Sequence, residues 1–80
     1  MWTMPHYYFD HIENAARIPD EDGVDLPDIE AAKAEAAKAL AELVHQAPPG
    51  DGHRFSIEVR DQREPVLHCR LSLEISCLSK

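Results

Sequence analysis

The chain has 80 residues, of which 44% are hydrophobic and 29% are charged, the content of an ordinary globular protein. This length allows one small domain with a thin core, and we expect that domain to span residues 4–77, with flexible ends at 1–3 and 78–80. The formal net charge is −7. No basic stripe of the kind that nucleic-acid binding requires is visible, so we expect no nucleic-acid partner.

The first nineteen residues predict a β-hairpin. Residues 6–12 (HYYFDHI) are rich in aromatic side chains and alternate in polarity, which favours a strand. Residues 15–19 (AARIP) predict a weaker second strand, which Pro19 confines to an edge or an end. Glu13 and Asn14 are the predicted turn, because asparagine tolerates a positive φ.

An acidic segment, residues 20–30 (DEDGVDLPDIE), follows the hairpin. It could form a cation site, a patch facing a basic partner (Asp20, Glu21, Asp22 and Asp25), or the entry into a helix. An EF-hand is excluded, because counting from Asp20 places Val24 at ligand position 5. An irregular site using three of these aspartates stays open as the weaker alternative to a structural role at the helix start.

The segment 28–47 predicts an amphipathic helix with Asp28 as its N-cap. Its sequence is rich in alanine, and the prolines and glycines of residues 46–52 (QAPPGDG) end it. At 100° per residue the apolar positions share one arc, which we expect to face a sheet: Ile29, Ala32, Ala36, Leu40, Leu43 and Ala47.

Two further strands are predicted at residues 54–61 and 66–76, because both segments alternate in polarity. The turn DQREP joins them. In the last strand the residues expected to face inward are Leu67, Cys69, Leu71, Leu73 and Ile75. The predicted fold is therefore an α+β, two-layer β-β-α-β-β domain, with one helix packed on one face of an antiparallel sheet.

The opposite face of this sheet is a candidate interaction face, because tyrosine and arginine are enriched at binding hot spots. Asp10 shares this face by parity. The alternative is a solvated face held by cross-strand ion pairs. The candidate residues are Tyr8, Arg60, His68, Arg70, Ser72 and Glu74.

The sequence offers no catalytic or metal-binding motif, and we expect neither an enzyme nor a cofactor. His6 and His11 are five positions apart and point to opposite faces of one strand. Cys69 and Cys77, if on one strand, lie about 26 Å apart and cannot form a disulfide. Such thiol usage is typical of the reducing cytoplasm. With no signal peptide and no apolar span, we expect a soluble cytoplasmic protein and no membrane partner.

Several motifs in order resemble a family of small proteobacterial domains of unknown function. They are MPHYYFD from Met4, the acidic segment with its LPDIEAAKAEA continuation, RFSIEVRD and the closing PVLHCRLSLEI. The resemblance covers the chain from Met4 to about Ile75 and implies no activity. His6 stands where the family usually has arginine, and Met1 to Thr3 precede the usual start.

We therefore expect a non-enzymatic binding or regulatory module that forms a homodimer and can also bind a protein partner. The last strand is predicted to be three residues longer than its neighbour, so we expect the backbone near Glu74 to Ser76 to pair with a second copy. Alternatively, the first strand runs beside the last and covers this overhang. The alternative function is an acidic inhibitor or nucleic-acid mimic that acts through residues 20–30.

Overall fold

One helix packs on an antiparallel sheet of five strands in a computed structural model that describes residues 4–46 and 53–79. This confirms the α+β class. Met1 to Thr3 and Ala47, which carried predictions, lie outside the described residues. The elements in chain order are β1 (His6–Glu13), β2 (Ala16–Ile18), β3 (Val24–Asp25), α1 (Ile29–Gln46), β4 (His53–Arg60) and β5 (Pro65–Leu73).

The sheet order is β2-β1-β4-β5, and β3 pairs with β1 on the same side as β2. The prediction of two strands before the helix missed β3, which pairs Val24 with Tyr7 and Asp25 with His6. The alternative that the first strand runs beside the last is wrong, because β1 pairs with β4 from Tyr8 to Glu13. The acidic segment is thus attached to the sheet before it enters the helix.

The β1–β2 turn has Asn14 and Ala15 at its tip, one residue later than predicted. Glu13 pairs with Ala16, and φ is 50° at Asn14 and 91° at Ala15. Two successive positive φ values are those of a type I′ turn, which matches the twist of the flanking strands. Asparagine is well suited to the first position, whereas alanine at the second carries a steric cost.

Ala15→Gly is expected to raise the free energy of unfolding by about 1 kcal/mol, because glycine adopts this φ without the clash of a Cβ. Urea denaturation measures the change. The matched control is Ala16→Gly in β2, where glycine is expected to lower stability by about 0.5–1 kcal/mol. A loss of stability in both variants would contradict the turn geometry.

Helix α1 covers one face of the sheet with its small residues. The Asp28 carboxylate accepts a hydrogen bond from the Ala31 N–H at 2.9 Å, which confirms the predicted N-cap. Ala32, Ala36 and Leu40 are buried, as the apolar arc predicts, and Leu43 packs against the same core. Ile29 at the start of the arc is 36% exposed, so its predicted burial is wrong.

The core beneath the helix comes mainly from β4. Phe55, Ile57 and Val59 are almost fully buried, together with Tyr7 of β1. Their alternation with Ser56, Glu58 and Arg60 is the pattern that predicted this strand. Within the described residues no helix is both long and apolar enough to cross a membrane.

Strand β5 is shorter than predicted and lies at the edge of the sheet. It ends at Leu73, which pairs with His53, the first residue of β4. Residues 74–76 follow the strand and do not form the predicted overhang. Two side chains expected to face inward are substantially exposed, Leu71 by 39% and Ile75 by 53%.

Candidate binding face of the sheet

The sheet face opposite α1, here called the open face, carries most of the predicted interaction residues. The register places Tyr8 opposite Arg60 and Ser56 opposite Arg70. Since side chains alternate along a strand, five of the six predicted residues share this face: Tyr8, Arg60, His68, Arg70 and Ser72. The sixth, Glu74, lies beyond the end of β5.

Asp10 is the buried centre of an ionic cluster at one end of the open face. Its carboxylate accepts hydrogen bonds from Arg17 Nη2 at 2.8 Å, Arg60 Nε at 3.0 Å and the Asp20 N–H at 2.9 Å. Asp10 lies on the face that parity predicts, but at 1% exposure it is not solvated. It is buried because β2, β4 and the acidic segment all supply donors to one carboxylate.

These donors keep Asp10 ionised. Burial raises the pKa of the Asp10 carboxyl. The hydrogen bond from the Asp20 backbone and the charges of Arg60 and Arg17 lower this pKa by more than burial raises it, so the pKa is below its usual value. A carboxylate with a lowered pKa holds no proton at neutral pH. Asp10 is therefore unsuited to act as a general acid.

Asp20 organises the turn of the acidic segment. Its carboxylate accepts the Phe9 N–H at 3.0 Å and, through the other oxygen, the N–H groups of Asp22 and Gly23 at 3.2 Å. Burial raises the pKa of Asp20, but these three N–H donors more than offset it, and the pKa is lowered. The carboxylate satisfies the β1 backbone between the β2 and β3 pairings, so Asp20 has a structural role.

His6 links Asp22 and Asp25 of the acidic segment to β1. Its Nδ1 lies 2.6 Å from Asp25 Oδ1 and its Nε2 lies 2.8 Å from the Asp22 carbonyl oxygen. Both partners are acceptors, so both ring nitrogens must donate, which favours the imidazolium form. The hydrogen bond to Asp25 and then that to Asp22 raise the pKa of His6. This contribution is present at acidic pH and is lost as pH rises through the raised pKa.

Gly23 permits this close approach. Its φ is +69°, and a Cβ at this position would lie 2.5 Å from His6 Nε2 and 2.8 Å from the Tyr7 carbonyl oxygen. Glycine is therefore required both by the backbone conformation and by the space beside His6.

Four of the six acidic residues in segment 20–30 have partners within the chain. Besides Asp20 and Asp25, Asp28 caps the helix, and Glu30 lies 3.1 Å from Lys33 Nζ. Among the residues that the structure describes, the carboxylates of Glu21 and Asp22 have neither a hydrogen bond nor a salt bridge. Two of the four residues of the predicted acidic patch, Asp20 and Asp25, are thus engaged within the chain, and the carboxylates of the other two face solvent.

The described parts of the chain contain no group of three histidine, cysteine or acidic side chains that could hold a metal ion. Asp20, Asp22 and Asp25, the residues of the weaker cation-site alternative, do not form one. Both cysteines are free thiols, Cys69 half-buried in β5 and Cys77 exposed after it.

Two predicted anchors of the open face are also occupied within the chain. The Arg60 guanidinium lies 4.3 Å from the centre of the Tyr8 ring, and its Nη2 donates to the Asp20 carbonyl oxygen at 3.1 Å. Arg17, which the sequence reading missed, joins the Asp10 cluster to Glu58 at 3.0 Å. A partner would have to displace these contacts to reach Tyr8 and Arg60.

The other end of the open face is a groove of about 640 Å³, here called the arginine groove. Within residues 4–46 and 53–79, no carboxylate lies at salt-bridge distance from Arg54 or Arg70. The sequence reading did not select Arg54, although its alternation with Ser56, Glu58 and Arg60 places it on this face. The groove is lined by the polar residues Asn14, Arg54, Ser56, Arg70 and Ser72 and by the apolar residues Ile12, Ala15, Phe55 and Leu71.

Comparison with known families gives one finding. The model of the family described as "Domain of unknown function (DUF6894)" matches residues 6–72. No curated protein and no solved structure matches the chain significantly. The matched range begins with β1 and ends one residue before the end of β5, so both the Asp10 cluster and the arginine groove lie within it.

Proposed function

We propose that this chain, which belongs to the DUF6894 family of domains of unknown function, is a non-enzymatic binding module that acts as a homodimer. The observation that carries the proposal is the edge strand β5. It pairs with β4 on one side, and no described strand pairs with its other side. Exposed apolar side chains lie on and just after it, so the edge is suited to a second copy.

The ionic cluster supports a module without catalysis. Asp10 and Asp20 both have lowered pKa values and accept three hydrogen bonds each. A catalytic acid or base instead needs a pKa near the working pH and an oxygen free to meet a substrate. The cluster has the properties of a clamp that joins β1, β2, β4 and the acidic segment.

The two edges of the sheet differ in how they are protected. On the side of β1 away from β4, the strand is covered by two short strands, β2 and β3, and by the turn at Asp20 between them. Pro19 follows β2 directly. Strand β5 runs nine residues and carries Leu71 at 39% exposure, with Ile75 at 53% and Leu78 at 97% beyond it. Long bare edges with apolar side chains are seldom left open in stable proteins. A second β5 would cover both the backbone and these side chains.

Charge restricts the register of an antiparallel β5–β5 pair. A two-fold axis at Leu71 places Arg70 opposite Ser72 of the second copy and His68 opposite its Glu74. An axis at Arg70 would instead put two arginines opposite each other, which is unfavourable. In the register centred on Leu71, residues 74–76 extend the strand, and Leu67 lies opposite Ile75 of the second copy. Such an interface is self-complementary, as a two-fold dimer requires.

Leu71→Lys tests the dimer. The wild-type chain is expected to show twice the 9.0 kDa of the single chain by light scattering at about 10 μM, and the variant the single-chain mass, because lysine on an edge opposes strand pairing. The matched control is Ile18→Lys on the opposite edge, where Ile18 is 62% exposed; it should keep the doubled mass. A wild-type mass of one chain that persists at about tenfold higher concentration would refute the dimer.

The acidic inhibitor or nucleic-acid mimic has less support. A mimic needs free carboxylates in a row, whereas Asp20, Asp25 and Asp28 each bind groups of their own chain. The exposed pair Glu21 and Asp22 is a small charge for a basic groove.

A further inference from the structure

We propose that the arginine groove binds a phosphate group. This names a ligand class for the proposed binding module, and the site is complete within one chain, so it does not require the second copy. The argument starts from the pairing of β4 with β5. Arg54 lies opposite Ser72, and Ser56 lies opposite Arg70.

This register sets two guanidinium groups diagonally across neighbouring strands, each beside a serine hydroxyl. Directly opposite side chains have Cβ atoms about 4.5–5.5 Å apart, and diagonal neighbours lie about 7–8 Å apart. Arginine side chains are long enough to close that diagonal on a single anion. The fork of a guanidinium matches phosphate oxygens in pairs.

Asn14 adds a further donor from the β1–β2 turn. Its Oδ1 accepts the Arg54 N–H at 3.0 Å, and its own N–H donates to the Arg54 carbonyl oxygen at 3.1 Å. With Oδ1 so engaged, the Nδ2 amino group of this groove-lining residue is left as a donor. No lining residue of the groove carries a carboxylate. The groove therefore offers donors from two arginines, two serines and one asparagine, the arrangement that an oxyanion needs.

The charges favour phosphate over a single carboxylate. The chain has 15 acidic residues against 8 basic ones, and Arg17, Arg60 and Lys33 each have an acidic partner. Arg54 and Arg70 have none among the described residues, although they are close to each other. A phosphate monoester carries about −1.5 to −2 at neutral pH, which matches two guanidinium charges.

The test is a titration with inorganic phosphate at constant ionic strength, followed by the amide NMR signals of Ser56 and Ser72. We expect saturable shifts, and a dissociation constant about tenfold larger in Arg70→Gln, because a charge-assisted bidentate contact is lost. Ser72→Ala, which keeps both arginines, should weaken binding about threefold. Arg63→Gln is the matched control. Arg63 is exposed in the β4–β5 turn, away from the groove, and its loss should leave binding unchanged.

Three outcomes would overturn the site. They are shifts that do not saturate, equal binding by Arg70→Gln and wild type, and binding of acetate as tight as that of phosphate. Light scattering on the same samples reports the dimer separately, so failure of the phosphate site and failure of the homodimer are distinguishable.

Discussion

Replacement of Asp10 by alanine is expected to lower the free energy of unfolding by about 2–4 kcal/mol, since three hydrogen bonds to a buried carboxylate are lost and the Asp20 N–H loses its acceptor. Asp10 is 1% exposed and accepts hydrogen bonds from Arg17, Arg60 and the Asp20 backbone. A domain of this size has a total stability of roughly 4–12 kcal/mol. The loss is therefore a large part of it, and urea denaturation measures the change.

Two control variants distinguish the loss of the Asp10 cluster from a general effect of removing a charge. Glu58→Gln removes a half-exposed carboxylate that binds Arg17 alone in this cluster, and should cost no more than about 1 kcal/mol. Asp10→Asn keeps the shape of the side chain, so this variant can still be measured if Asp10→Ala does not fold. Equal effects of Glu58→Gln and Asp10→Asn would contradict the central role of Asp10.

Acid provides an independent check on the same residue. Because the pKa of folded Asp10 is lowered, its contribution is present above the usual carboxyl pKa and is lost as pH falls through the lowered value. The stability difference between wild type and Asp10→Asn should therefore be constant near neutral pH. It should shrink below about pH 4.

The sequence predicts those parts of the fold that depend on local periodicity. The helix with its Asp28 cap and the alternation of β4 follow from neighbouring residues alone. Strand β3 has two residues, Val24 and Asp25, which is too short for any alternation to show. The alternation of β5 continues past Leu73, but the strand ends there, where Leu73 lies opposite His53 of β4. Strand length thus depends on the neighbour.

The candidate site shows the same limit. Parity correctly places Tyr8, Arg60 and Arg70 on one face, because alternation is a property of a single strand. The burial of Asp10 depends on Arg17 and Asp20, which reach it from other segments. That convergence leaves no periodic signal. Consequently the sequence predicts the open face as a whole. Only the structure shows that the Asp10 cluster occupies one end of this face and the arginine groove the other.

The position of the helix gives the second large expected effect. Ala32 and Ala36 are both 0% exposed and pack in one core with Phe55, Ile57 and Val59. Alanine at these positions lets the helix lie close to the sheet, because a larger side chain would fill the space between them. Packing of this kind leaves little room for extra atoms.

Ala36→Leu is accordingly expected to lower the free energy of unfolding by about 1–3 kcal/mol, the usual cost of forcing a larger side chain into a packed core. Ala34→Leu is the matched control. Ala34 lies on the same helix but is exposed, and alanine and leucine have similar helix propensities. The difference between the two variants in urea denaturation therefore reports on packing against the sheet alone. Equal losses would mean that the helix presents a different face to β4 than the burial of Ala32, Ala36 and Leu40 implies.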